Sequence, residues 1–225
     1  MGRWFLCLCL LIAPAFSADL DGLSERDAGK GLREALVQGV GQAVGKLSAA
    51  DGFLGNPQVK IPLPPSLEKA EKVLRDLGMG RSADELVTTM NRAAESAVVE
   101  AKPILLDGIK KITLADAKAI LAGPEDGATQ YFRKTSGEAI VQRFLPKVKA
   151  ATGRVKLAED YNRFAAPAAQ FGLIDKQDAD LDQYVTRKAV DGLFLMIAQE
   201  EKAIRADPIG QTSKLLQKVF GGVLK

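Results

Sequence analysis

The sequence predicts an all-α protein: a single multi-helix bundle with one extended, proline-rich segment at about residues 51–65. Three observations carry that expectation. Apolar residues recur at three- and four-residue spacing in nearly every stretch after residue 24, which is the period of a helix face. No series of short alternating runs separated by turns is present, as a sheet would require. Gly78, Gly123 and Gly172 close periodic stretches, where helices stop.

The first 22 residues, MGRWFLCLCLLIAPAFSADLDG, stand apart from this pattern. Arg3 gives a short positive start, Phe5 to Ile12 an apolar run, and Ala15-Phe16-Ser17 a small-x-small step. This is the layout of a secretory signal peptide over residues 1–17, with cleavage expected after Ser17 or Ala18. The apolar run is about half of the roughly 20 residues that a membrane span needs. Both cysteines and the one tryptophan, Trp4, lie within residues 1–17, and the chain has no histidine. The remainder, residues 18–225, is expected to be a single helical domain without disulfide, thiol nucleophile, imidazole base or Cys/His zinc site. Losing Arg3 takes the formal charge from +3 to +2, a balance that points neither to nucleic acid nor to anionic lipid.

The elements follow in order. The first helix is expected from Ser24, a candidate N-cap, through Leu32, Leu36, Val40, Val44 and Leu47. Beside that stripe runs a row of small residues, Gly31, Ala35, Gly39 and Ala43. Each glycine costs about 1 kcal/mol against alanine in a helix, so the helix needs tertiary support. GVGQAVGK within it is not a P-loop, because Val40 stands where the first glycine should be and no strand precedes it. Asp51-Gly52 and Asn56-Pro57 then signal turns. Val59, Ile61 and Leu63 alternate with Lys60, Pro62 and Pro64, an extended run that is at most an edge strand. Helix resumes after Ser66 and stops at Gly78.

The longest periodic stretch covers about residues 82–112. Ala83, Val87, Met90, Ala94, Ala97, Ala101, Ile104 and Gly108 form a seam with coiled-coil-like steps. Pro103 removes a backbone donor inside it and predicts a kink. Thr113 and Asp116 have the spacing of a cap and its N3 partner for a short helix ending near Gly123. Residues 124–153 read as one helix, or as two divided at Ser136-Gly137, with a kink at Pro146. A further helix is expected to be interrupted by Pro167 and closed by Gly172.

The helix around Asp191 to Pro208 has two apolar faces. At 100° per residue, Val190, Leu193, Phe194, Ile197 and Ile204 share one stripe, and Leu181, Val185, Ala189, Gly192 and Met196 the other. A helix apolar on two sides belongs in an interior. Leu215, Leu216, Val219 and Phe220 then predict a short amphipathic helix at the end of the chain, with Lys214, Lys218 and Lys225 beside it.

The stretches DGFLGNPQVKIPLP, MNRAAESAV, YFRKTS and KAVDGLFLMIAQEEKAIRADP resemble a bacterial secreted family catalogued as domain-of-unknown-function family 4197. The likeness spans about Ser24 to Phe220. It implies an exported, mainly helical protein and brings no catalytic residues with it.

Candidate polar sites come from carboxylates on apolar faces. Glu201 falls in the middle of a stripe, between Ile197 and Ile204, whereas Glu200 lies toward its rim. A buried carboxylate must be paired, hydrogen-bonded or protonated. Two readings of Glu201 stand: an acid of raised pKa in a pocket, or a partner of Arg205 four residues on or of an arginine from another helix. Glu95 flanks the small-residue seam with Asn91, Arg92 and Lys102, placed to pair with Asn91 or Arg92 or to face a ligand between helices. Asp160, Tyr161, Asn162 and Arg163 form another polar cluster, and Tyr131 with Arg133 a third. Asp175, Asp178, Asp180 and Asp182 are close together, but a calcium loop begun at Asp178 has Gln183 where glycine is needed and Ala189 where glutamate is needed. They suit helix capping and first-turn positions instead.

No metal site, cofactor motif or catalytic constellation is assigned. The expectation is an exported protein of the periplasm or medium, with a non-catalytic role in binding a protein partner or an apolar ligand, and no nucleic acid. Two other readings are kept: weak peripheral contact with a membrane surface through the last helix, and a hydrolase built on two carboxylates.

Overall fold

The structure, a computed structural model, describes residues 25–76, 78 and 80–206. The proposed signal segment, the Ser24 cap and the amphipathic stretch after Pro208 lie outside the described residues. Those described form eight α-helices and one 3-10 turn: α1 (Glu25–Ser48), α2 (Pro65–Asp76), α3 (Gly80–Ala97), the 3-10 turn Val98–Glu100, α4 (Ala101–Lys111), α5 (Leu114–Ala122), α6 (Gly127–Thr152), α7 (Lys156–Gln170) and α8 (Leu181–Ala206). The all-α bundle expected from the sequence is what is found.

The centre is built from α1, α3 with α4, α6 and α8, and α8 lies against both α6 and α1. Both of its apolar faces are buried, from Leu181 and Val185 to Ile197 and Ile204. The small-residue row of α1 is what allows α8 to come close: a Cβ on Gly39 would sit 3.5 Å from the Glu200 Cβ and the Ile204 Cδ1. The buried apolar residues of all these elements join in one core.

Pro103 acts upstream of itself. Its ring displaces the carbonyl four residues earlier, that of Val99, and the 3-10 turn lies over Val98–Glu100. Beyond this turn the buried face is Ala101, Leu105 and Ile109 rather than Ala101, Ile104 and Gly108, because three residues per turn rotates the phase of the helix that follows. The Thr113 capping box with Asp116 is formed. At the end of α7, Gly172 has φ +73°. Its N–H donates to Ala169 O and that of Leu173 to Ala168 O, the paired bonds of a Schellman closure.

Two expectations need correction. Pro167 does not interrupt α7, which is continuous through it; and of the two readings of residues 124–153 the single helix is found, since α6 is continuous through Ser136-Gly137 and Pro146. The small side chain at 136 serves packing: the Ser136 Oγ lies 3.2 Å from where a Gly108 Cβ would be, so α4 and α6 approach closely there. The extended segment is likewise not an edge strand. Val59, Ile61 and Leu63 are buried as expected, but their backbone is held by side chains. Pro64 is buried as well, against the expected alternation.

Candidate functional site

Glu201, in the last turns of α8, is buried, and both of its oxygens are occupied. Its Oε1 accepts from the Ala128 N–H at 3.0 Å and its Oε2 from the Thr129 N–H and hydroxyl at 2.9 Å each. These two N–H groups are orphan donors of the first turn of α6. Asp126, the N-cap residue, makes no side-chain capping bond of its own. Arg205 donates through Nη2 to Glu201 Oε1 at 2.9 Å and to Ile120 O, in the last turn of α5, at the same distance. One ion pair on α8 therefore closes the junction of two other helices. Its anion lies at the positive start of α6 and its cation at the negative end of α5, as their dipoles favour. The void beside it, lined by Leu32, Ala35, Leu36 and Ile204, holds only about 10 Å³, too little for more than a water molecule.

Asn91, Arg92 and Glu95 do the same for the extended segment. The Asn91 amide accepts from Ile61 N–H at 2.8 Å and donates to Ile61 O at 2.9 Å. It supplies both bonds that a neighbouring strand would have made. Glu95 Oε1 accepts from the N–H groups of Phe53 and Leu54 at 3.1 Å, and Oε2 from Arg92 at 2.7 Å. Arg92 reaches on to Asp51 at 2.8 Å, a residue held at φ +65°. The left-handed turn at Asp51 is thus tied to α3 by a guanidinium bridge, and the chain that leaves it is clamped by a carboxylate.

Glu200 is not a rim residue. It is buried and accepts from the Lys46 ammonium at 2.6 Å, because the close approach of α1 at Gly39 covers it. Sequence reasoning also missed Arg33, which donates to Ile112 O at the end of α4, and the buried Asp182, which accepts from the Thr152 hydroxyl. The neighbouring aspartates do cap and turn work: Asp180 accepts from Gln183 N–H and Asp175 from Gln177 N–H. Among the described residues no group of three or more His, Cys, Asp or Glu side chains has a metal-binding arrangement. In the 160–163 cluster, the Tyr161 hydroxyl bonds Ser66 and the Asp178 carbonyl, and Asn162 caps Leu181 N–H. Tyr131 and Arg133 part company, since Arg133 turns to Asp191.

That turn leads to a cleft of about 530 Å³ between residues 58–62, the start of α6 and the middle of α8. Val59, Pro62, Phe194 and Leu195 give it an apolar floor; Arg133, Asp191, Lys60 and Lys188 line its sides. The Arg133 guanidinium pairs with Asp191 at 2.8 Å and lies 4.7 Å from the Phe194 ring centroid, a cation–π contact. Lys60 and Lys188 have no ion-pair partner among the described residues, and Lys188 rests near the Tyr184 ring, 5.7 Å from its centroid. Tyr184 itself is buried, its hydroxyl donating toward Pro62 O, and burial pushes its pKa up to about 12. The arrangement offers a flat apolar base with mixed charge around it, suited to docking a side chain or a short segment.

No helix among the described residues is long and apolar enough to cross a membrane. The family described as protein of unknown function (DUF4197) matches residues 22–221. No curated protein and no solved structure matches the chain.

Proposed function

We propose that this chain, which belongs to the DUF4197 family, is an exported, non-catalytic binding protein of the cell envelope that takes a protein partner in the cleft between residues 58–62, α6 and α8. One observation carries the reading. The polar side chains that the sequence offered for chemistry, Glu201, Arg205, Asn91, Arg92 and Glu95, are engaged with backbone groups and with each other. The cleft, in contrast, leaves Lys60, Lys188 and the half-exposed Leu195 open to solvent. Export is supported by the residue pattern of positions 1–17. A protein partner is favoured over an apolar ligand because the void at the α1–α8 seam is about 10 Å³, whereas the cleft is open and rimmed with charge.

The test is native mass spectrometry of protein purified from the envelope fraction of its own host, beside the variants Leu195→Asp and Lys188→Glu. A bound species carried by the wild type and lost from both variants is the expected result. A species retained equally by all three would place binding elsewhere and refute the cleft.

A further inference from the structure

The largest exposed apolar side chains outside the cleft gather at one place. Phe164 on α7 and Phe171 and Leu173 in its closing turn are 67%, 81% and 78% exposed. Phe164, Pro167, Ala168 and Phe171 follow i, i+3, i+4, i+7 spacing, one face of the helix. The two Schellman bonds and the positive φ of Gly172 hold the tip in one shape, so little order remains to be imposed when it binds. In the chain that follows the tip, Asp175 and Asp180 have no ion-pair partner among the described residues, and Asp175, Asp178 and Asp180 outnumber Lys176. Exposed apolar side chains followed by an acidic segment are ill suited to an anionic lipid surface; they fit an apolar groove whose unpaired charges are mainly cationic.

The chain itself carries such a groove. In the cleft, the unpaired Lys60 and Lys188 outnumber Asp126 over a floor of Pro62, Phe194 and Leu195. We propose that the Phe164–Phe171–Leu173 tip of one copy docks in the 58–62/α6/α8 cleft of a second copy, a head-to-tail contact between like chains. This rests on the reading of the cleft as a docking surface and names its occupant.

Sedimentation equilibrium of the full exported chain tests it, with Phe171→Asp/Leu173→Asp as a tip variant and Lys60→Glu/Lys188→Glu as a cleft variant. All four side chains are exposed, and far-UV circular dichroism checks that both variants keep the fold. Wild type is expected to gain mass with concentration. Each variant alone should weaken association by more than about 30-fold, as loss of a hot spot does. Mixed in equal amounts, the two should form a pair, because one working tip meets one working cleft. A wild type monomeric at millimolar concentration, a mixture that stays monomeric, or a variant that associates like wild type overturns the proposal. So does wild type that is monomeric yet pellets with phosphatidylcholine vesicles through the tip, which makes lipid the occupant. If wild type is monomeric while the cleft variants still lose a co-purified species, self-docking fails and the cleft reading stands.

Discussion

Removing the Glu201 carboxylate should unsettle three helices at once, and the size of the effect follows from what is left behind. In Glu201→Ala, the Ala128 and Thr129 N–H groups lose their acceptor, comparable to losing a helix cap, about 0.5–2 kcal/mol. Arg205, largely buried, keeps only Ile120 O. Stranding one member of a buried pair costs about 3–5 kcal/mol. The two estimates overlap in part, so the expected loss is about 4 kcal/mol, against a total stability of about 5–15 kcal/mol for a domain. Arg205→Ala should cost less, because Glu201 would keep three donors from α6. The double variant should fall short of the sum by at least about 1 kcal/mol, the signature of directly coupled groups. Urea unfolding followed by circular dichroism at a helical wavelength measures all three, and a chain of this size should show about 10 °C of lost melting temperature for Glu201→Ala. A loss below about 1 kcal/mol, an Arg205→Ala cost as large as that of Glu201→Ala, or strict additivity would refute the account of a shared helix-end clamp.

Three further outcomes follow from the packing and hydrogen bonds. Gly192→Ala places a Cβ 2.9 Å from the Phe53 ring and 3.2 Å from the Val59 Cβ, so overpacking of about 1–3 kcal/mol should outweigh the roughly 1 kcal/mol gain in helix propensity. Gly41→Ala, with nothing within 4 Å, should instead stabilise in the same melting experiment. Asn91→Ala strands the N–H and C=O of buried Ile61 and should cost about 2–6 kcal/mol at about 1–3 kcal/mol per unsatisfied group; Asn91→Asp, which sets a buried carboxylate oxygen against the Ile61 and Val87 carbonyls, should cost at least as much at neutral pH. Burial raises the pKa of each of the three tyrosines, Tyr131, Tyr161 and Tyr184, the last to about 12. The unfolded chain releases those protons first, so stability is retained below pH 10 and falls as pH rises toward 12. Tyrosinate absorbance of the native protein should lag that of the unfolded chain, and Tyr184→Phe should remove the latest step.

How far the sequence could be read is best judged where local and tertiary causes meet. Thr113 with Asp116 and the glycine at 172 were legible because a cap is satisfied within four or five residues. The two-faced burial of α8 was legible because periodicity reports which sides of a helix are covered. Pro103 was read correctly as a disturbance and misplaced by a turn, since the carbonyl it displaces lies four residues upstream. Whether Ser136-Gly137 divides its helix stayed open in the sequence for a related reason. A small residue inside a helix marks either a weak point or a close neighbour, and only the position of Gly108 on α4 decides between them.

The polar residues mark the real limit. Periodicity could say that Glu201 faces inward, and spacing could offer Arg205 as its partner, but the donors that complete the site are main-chain groups of α6, more than seventy residues away. Backbone N–H groups are identical at every position, so no residue type announces them. Asn91 is the same case, since its partner is the main chain of Ile61. Glu200 was placed at the rim because the helical wheel measures angle and not coverage; α1 covers it where Gly39 brings the two helices close, and Lys46, about two turns beyond Gly39 on that helix, supplies the charge. Inward carboxylates in this chain should therefore be read first as clamps on helix ends and loops. The surface proposed for docking is the one that these clamps hold in place: residues 58–62, in the segment fixed by Glu95 and Asn91, form one wall of the cleft. A variant that loosens that wall from behind, such as Asn91→Ala, should weaken binding without touching the cleft's own side chains.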